Sequence, residues 1–318
     1  MSSINRDSRV LITGGSGLVG KNLINYLREL GYKNLFYPTS SEVNFLNISQ
    51  CERYISEIKP DCIFSLAGLV GGIYDNKTRP ADFYWINSQI GNITFYLSQK
   101  YKVKKLVCTG AGCGYPLRAP EPLNEDTIWD GMAQPESRGY STAKKTLITQ
   151  SEAYYQQYGL NSSVIIPSNI YGEFDNFVLE TSHVIPALIH KFYLSSIEKK
   201  PVKVWGDGSA KRDFLYVRDC VSALEKALYL NGSNVVNVAN GKQHSVKEIC
   251  DFLIEITNNI HGIEFQTDMP SGQKSREFSI KKASTLIPDW SCNFSLYKGL
   301  ENTYQWFSKN YLSNNIRK

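Results

Sequence analysis

The sequence has no apolar run long enough to cross a bilayer, and its first nine residues, Met1 to Arg9, are polar where a secretory leader would be apolar. The seven cysteines are an odd number without a C-x-x-C pair, and the four histidines show no ligand-like spacing. Neither a disulfide framework nor a metal site is expected; the thiols read as reduced and the compartment as cytoplasmic. Internal repeats and low-complexity stretches are missing too. The net charge is only +5, with Lys and Arg scattered rather than in blocks. That distribution argues against nucleic acid and suits small anionic molecules better.

What remains is an ordinary globular composition, 42% hydrophobic and 20% charged, in 318 residues. Such a chain holds one large domain or two modest ones around a sizeable core. Val10-Leu11-Ile12-Thr13 reads as a buried parallel strand and leads into Gly14-Gly15-Ser16-Gly17-Leu18-Val19-Gly20. A helix follows, with Val19, Leu23, Leu27 and Leu30 on one face and Gly31 at its end. Strand, glycine turn and helix in that order cradle a dinucleotide pyrophosphate, through close backbone approach and free N–H groups at the helix start.

A second strand, Leu35-Phe36-Tyr37, ends in Pro38-Thr39-Ser40-Ser41-Glu42. An acid at that tip would hold a ribose diol and an arginine a ribose phosphate; the hydroxyls of Thr39 and Ser40 favour the phosphate of NADP(H), while Glu42 leaves NAD(H) as the alternative. Further strands are read at Cys62–Gly68, where Ala67 is small enough for a cofactor to pass close, at Lys104–Thr109 and at Ser163–Ile166. Helices are read over Trp85–Lys100 and Tyr140–Tyr158. This alternation predicts an α/β fold, a Rossmann-type doubly wound parallel sheet, with a smaller mixed α/β substrate domain. The expected division is 1–167 plus about 212–241 for the dinucleotide, and 168–211 plus 242–318 for the substrate, with Val235–Val238 completing the sheet.

Tyr140 and Lys144 lie one turn apart on a helix face. A lysine ammonium beside a phenol favours phenolate and lowers its pKa, which suits proton transfer to an alkoxide during hydride transfer. Read alone, Cys113 is a small buried residue, Trp205 is either core or ligand contact, and Arg212 is a surface ion pair or a phosphate ligand. His190 and His261 read as surface residues and His244 as a turn residue.

Several stretches taken together resemble the extended short-chain dehydrogenases/reductases, most specifically the GDP-L-fucose synthase family, the GDP-4-keto-6-deoxy-mannose 3,5-epimerase/4-reductases. They are Gly14–Lys21, Leu69–Ile73, Cys113–Pro116, Ile166–Gly172, Asp175–Phe177, Ser182–Leu188, Val204–Gly208, Arg212–Phe214 and Tyr304–Phe307. The resemblance implies Tyr140 as proton donor, Lys144 as its partner on the nicotinamide ribose, and Cys113 with His183 as the epimerase acid/base pair. It implies a nucleotide sugar held by Asn169, Val184, Lys191, Val204, Trp205, Arg212 and Arg276, with Lys191 and Arg276 each exchanging one basic type for another. The cofactor would also meet Leu69, Thr109, Pro167, Ile170 and His183. A homodimer through a four-helix bundle is expected from the apolar positions of the helices Trp85–Lys100 and Tyr140–Tyr158.

One position departs from that family. Ala111 stands where its members carry Ser or Thr, whose hydroxyl donates to the substrate's 4-oxygen. Losing such a donor costs on the order of 10²–10³ in rate. Thr109, on the same side of the strand, is about 6–7 Å back, too far to stand in directly. Gly110, Gly112 and Gly114 make the loop small, which would admit a bulkier sugar or reshape the site. Three activities therefore stand open: the epimerase/reductase; a reductase, epimerase or dehydrogenase for another GDP-sugar such as a heptose; and a non-catalytic cofactor-binding regulator.

Overall fold

The computed structural model describes residues 4–268, 275–313 and 316–317. Its centre is a six-stranded parallel sheet in the order β2-β1-β3-β4-β5-β9. The strands are β1 (Arg9–Thr13), β2 (Asn34–Phe36), β3 (Cys62–Ser65), β4 (Lys105–Thr109), β5 (Ser162–Pro167) and β9 (Ser233–Val238). Strand alternation sends their side chains to two cores. Val10, Ile12, Phe64, Val107 and Ile165 join one; Leu11, Ile63, Leu106, Cys108, Val164 and Ile166 join the other. The first core is covered by α1 (Leu18–Glu29) and α7 (Val217–Lys226), the second by α2 (Ile48–Ile58), α4 (Pro80–Lys100) and α5 (Arg138–Tyr158).

Local chemistry sets the helix ends. Gly31 past α1 and Gly159 past α5 have φ of +84° and +71°, the left-handed region where glycine carries no steric cost. Pro80 opens α4, five residues before the start expected from periodicity, since its missing N–H is harmless in the first turn. Helices α4 and α5 approach closely at Gly91, where an added Cβ would lie 2.8 Å from Leu147 Cδ2.

The remaining elements are α3 (Ile73–Thr78), β6 (Asn169–Tyr171), α6 (Val184–Glu198), β7 (Val202–Trp205), β8 (Lys211–Tyr216), β10 (Gln243–Ser245), α8 (Val246–Thr257), β11 (Ile263–Gln266), α9 (Lys281–Leu286) and α10 (Leu296–Asn310). Two small sheets form among them, β10-β8-β6 and β11-β7. Of the 212–241 stretch expected to finish the main sheet, Val235–Val238 does so within β9. Residues 211–216 instead pair with β6 and β10, and Asp213 sits just past the carboxyl ends of β5 and β9. Its fully buried carboxylate accepts from the Ser168 hydroxyl at 2.8 Å and from the Asn240 and Gly241 N–H groups at 2.9 and 2.8 Å.

Two histidines also differ from expectation. His190 is buried, its Nδ1 bonded to the Phe177 carbonyl at 2.8 Å and its ring packed on Phe307. His244 is a buried strand residue in β10, against Phe252. No helix of the described residues is long and apolar enough to cross a membrane.

Candidate active site

The chain leaves β1 for β2 on one side and returns to β3 on the other. This reversal opens a crevice at the carboxyl ends of β1 and β3. Thr13 Oγ1 accepts from the N–H groups of Leu66 and Ala67, each at 3.0 Å, so the two strand ends are laced together. Gly14 has φ +70°, and a Cβ there would sit 2.7 Å from the Ala67 nitrogen. A Cβ on Gly20 would lie 2.2 Å from the Gly14 carbonyl oxygen. Both glycines are thus demanded by close backbone approach, a fit to the cradle a dinucleotide needs. Gly17 precedes α1 without a side-chain cap, and no acid stands in the first turn, so the leading N–H groups of Leu18, Val19 and Gly20 are disposed for an anion.

At the tip of β2, Thr39 and Ser40 are exposed. Glu42 does not reach toward the crevice but turns back, accepting from the Thr39 N–H at 2.7 Å and the Thr39 hydroxyl at 2.8 Å. Those two bonds hold its carboxyl below the usual range. The hydroxyl of Thr39 is also 2.9 Å from that of Ser41.

Across the crevice, α5 brings Tyr140, Ser141 and Lys144 against the Ala111–Tyr115 loop that follows β4. The tyrosine–lysine pairing differs from its sequence-based expectation. Lys144 Nζ donates to the Thr109 carbonyl at 3.0 Å and stands 5.9 Å from the centre of the Tyr140 ring. The phenol is not lowered: burial, then the neighbouring Cys113 thiolate, raises it well above the ordinary tyrosine value. The ring packs edge-on against Phe83 at 6.1 Å. Burial pushes the Lys144 amine down and the Cys113 thiol up, and the Ser141 hydroxyl, Arg276 and Lys144 pull the thiol back.

The glycines of this loop do not open space. A Cβ on Gly112 would lie 2.5 Å from Phe278 Cζ, one on Gly110 2.9 Å from Ile166 Cγ1, and one on Gly114 3.2 Å from Lys145 Cγ. Phe278 comes from a segment joined to residues 121–125 by the bonds Leu123 N–H to Glu277 O at 2.8 Å and Ser279 N–H to Leu123 O at 2.9 Å. On the same segment Arg276 donates to the Gly112 carbonyl at 2.9 Å. Arg212 of β8 faces Arg276: burial and the second guanidinium both lower its pKa, with Glu121 opposing. Two crowded cations with one acid nearby make a place for a phosphate-bearing ligand.

The other expected ligand groups arrive from separate elements. Asn169 Nδ2 donates to the Asp213 carbonyl at 2.8 Å, beside Arg212. Lys191 donates to the Lys203 carbonyl at 2.8 Å and stands 5.5 Å over the Trp205 ring, which is 55% exposed and so not core. Val204 points the opposite way, its side chain buried, leaving only its backbone for a ligand. Val184 is half-buried at the start of α6. His183 precedes it, exposed to solvent yet set among enough protein to lower its imidazole; because it is exposed, that shift implies little for stability. Beside it, the Thr181 carbonyl lies 3.9 Å from where a Gly72 Cβ would stand, so the Leu69–Ile73 loop abuts this segment. Thr109 at the end of β4, Leu69 in the loop after β3 and Ile170 within β6 are half-buried, and Pro167 at the end of β5 is buried.

Asn87 on α4 was missed from sequence. It is buried, its Nδ2 donates to Leu69 O at 3.0 Å and Phe83 O at 2.8 Å, and its Oδ1 has no protein partner. That oxygen would be 2.5 Å from a Cβ on Gly68, itself 3.8 Å from Lys144 Nζ. Only the helical spacing from Phe83 could have marked it.

The model for the NAD dependent epimerase/dehydratase family matches residues 10–239. The chain belongs to this family. It is 32% identical to GDP-L-fucose synthase 1 of Arabidopsis thaliana over 97% of this chain and 96% of that one. It is 31% identical to GDP-L-fucose synthase of Escherichia coli, over 95% and 97%. Among solved structures, a GDP-6-OMe-4-keto-L-xylo-heptose reductase from C. jejuni superimposes with a TM-score of 0.89 at 26% identity, over 96% of this chain and 99% of that one. The GDP-L-fucose synthase resemblance read from the motifs therefore holds over nearly the whole chain, and the protein is an enzyme of the epimerase and oxidoreductase kind.

Proposed function

We propose that the protein is an NADP(H)-dependent 3,5-epimerase/4-reductase of a GDP-linked 4-keto-6-deoxy sugar. The observation that carries this is the meeting of a phenol, a thiol, a buried lysine and Arg276 around one loop. When bound, NADPH supplies the hydride for C4. Gly14, Gly20 and the first turn of α1 would hold its pyrophosphate, and exposed Thr39 and Ser40 its ribose phosphate, since Glu42 is engaged elsewhere. Arg212 and Arg276 would hold the diphosphate of the sugar, with Asn169, Lys191 and Trp205 along its nucleotide. A 4-keto group acidifies the hydrogens at C3 and C5. Cys113 and His183 would remove and return those protons, and Tyr140 would give its proton to the oxygen at C4, stabilised by Lys144.

The division of labour assigns the dinucleotide to the six-stranded sheet and the nucleotide sugar to the smaller sheets with residues 275–280. We read the exposed aromatics Tyr84, Trp85, Tyr96 and Tyr158 on α4 and α5 as a homodimer face, and the seven free thiols as fitting the cytoplasm. Incubation with NADPH and GDP-4-keto-6-deoxy-mannose in deuterated water tests the reading. Loss of NADPH absorbance and deuterium at C3 and C5 are expected; neither one appearing would end it.

Ala111 favours a second reading, a C4 reductase or epimerase for another GDP-sugar such as a heptose. Under it, a 4-keto heptose substrate turns over faster than the 6-deoxy sugar; equal or lower turnover removes it.

A further inference from the structure

Asn76 on α3 and Asn87 on α4 are both buried, and their amide groups converge on the loop after β3. Asn87 Nδ2 donates to Leu69 O at 3.0 Å and to Phe83 O at 2.8 Å. Asn76 Nδ2 donates to Gly71 O and to Gly72 O, each at 3.0 Å. The Oδ1 atoms of both side chains lack a partner among the described residues. A buried oxygen left in that state is costly, so the two asparagines are kept for what they donate.

Three carbonyls of one short loop are thereby turned toward α3 and α4. A trans peptide is planar, and its N–H points opposite to its C=O. The peptides joining Leu69 to Val70 and Gly71 to Gly72 are trans, so the N–H groups of Val70 and Gly72 point away from those helices. Neither donates to another group among the described residues. The loop also runs past the reacting groups. A Cβ on Gly68 would lie 3.8 Å from Lys144 Nζ, and one on Gly71 would lie 3.1 Å from Phe83 Cζ. The Phe83 ring in turn meets that of Tyr140. At the far end, Gly72 abuts the Thr181 carbonyl, two residues before His183.

We propose that the N–H groups of Val70 and Gly72 are paired donors for an uncharged oxygen of the bound cofactor or sugar, and that Asn87 and Asn76 are the positioning residues that aim them. The identity of the sugar rests on the function proposed above; the aim of the two N–H groups does not. A phosphate does not suit the loop, because Asp75 Oδ2 lies 2.7 Å from where a Gly71 Cβ would stand and would repel a second anion. A carbonyl or hydroxyl oxygen does suit it, either the carboxamide of the nicotinamide ring or an oxygen on the sugar. Backbone donors fixed in advance need no rearrangement when that oxygen arrives.

Hydrogen exchange at the Val70 and Gly72 amides, read by isotope-edited NMR in the full chain, tests the proposal. Both should exchange freely in the protein alone. NADPH alone, or GDP-4-keto-6-deoxy-mannose alone, should slow at least one of them about tenfold, the scale of one hydrogen bond. The ligand that does so is the source of the oxygen. Asn87→Ala should abolish the slowing at Val70 and Asn76→Ala that at Gly72. Each should weaken the protecting ligand about tenfold and leave the affinity of the other ligand unchanged. General loosening of the fold would weaken both ligands alike, and that result overturns the positioning role. Both ligands bound by calorimetry, with both amides exchanging as before, overturns the whole proposal; this measurement on the parent decides even if the variants fail to fold. If the sugar does not bind, the function proposed above fails, and the NADPH arm alone decides this one.

Discussion

Lys144 donates to the carbonyl of Thr109 at 3.0 Å, and this bond ties the first turns of α5 to the last residue of β4. The lysine is therefore a strut between helix and sheet before it is a partner of any ligand. It holds the Ala111–Tyr115 loop at a set distance from Tyr140.

Tyr140→Phe separates the two halves of the chemistry. We expect C4 reduction to fall by roughly 10²–10⁴, the range for a lost general acid. Deuterium exchange at C3 and C5 should persist, because Cys113 is untouched. Parallel loss of both activities would count against the assignment of roles.

Ala111→Ser restores a hydroxyl where the resembling family has one. C4 reduction of the 6-deoxy sugar should rise by about tenfold or more in kcat, given the worth of such a donor. An unchanged kcat would mean that this chain fills the role from elsewhere.

Gly112→Ala should destabilise the protein by about 1–3 kcal/mol, as overpacking does, because the new methyl meets the Phe278 ring. Adding Phe278→Leu should recover part of the loss. Denaturant midpoints of the four proteins in this cycle decide it; simple additivity would break the claimed contact.

Lys105 gives a pH prediction. It is fully buried, donates to the Ser163 hydroxyl at 2.8 Å and to the Leu230 carbonyl at 2.5 Å, and burial lowers its pKa to about 7. In the unfolded chain it titrates at the ordinary 10.5. Between these values the unfolded state binds more protons, so stability rises with pH from about 7 toward 10.5. Below about 7 the full cost of the buried ammonium is present. Urea midpoints at pH 7 and pH 9 should show a gain of about 2 kcal/mol from this group. Lys105→Met should abolish that slope.

Local order was the most legible part of the chain. The strand–glycine–helix unit at 9–29 and the helix ending at Gly159 follow from periodicity and backbone demands contained within a few residues. Pairings made by distant segments were not legible. Nothing near Gly112 announces that Phe278 will occupy the space beside it, so the small loop read as open. Nothing in the sequence around Asp213 announces that its carboxylate will gather Ser168, Asn240 and Gly241. The tyrosine–lysine spacing placed the two side chains near each other on one helix, as α5 has them. The sign of the phenol's shift depended on burial and on Cys113, twenty-seven residues earlier in the chain (140 − 113), and spacing cannot report either.

Arg276 and Phe278, which brace the loop bearing Cys113, lie among the last 43 of the 318 residues (318 − 275). The glycine turn proposed for the dinucleotide is made from residues near the beginning. During synthesis the two walls of the crevice are thus built far apart in time. A chain that ended before Arg276 would carry its thiol without the brace on the loop that bears it, and would also lack Ala283, Ile287, Trp290, Leu300 and Phe307, which share a core with β1, α1 and α7.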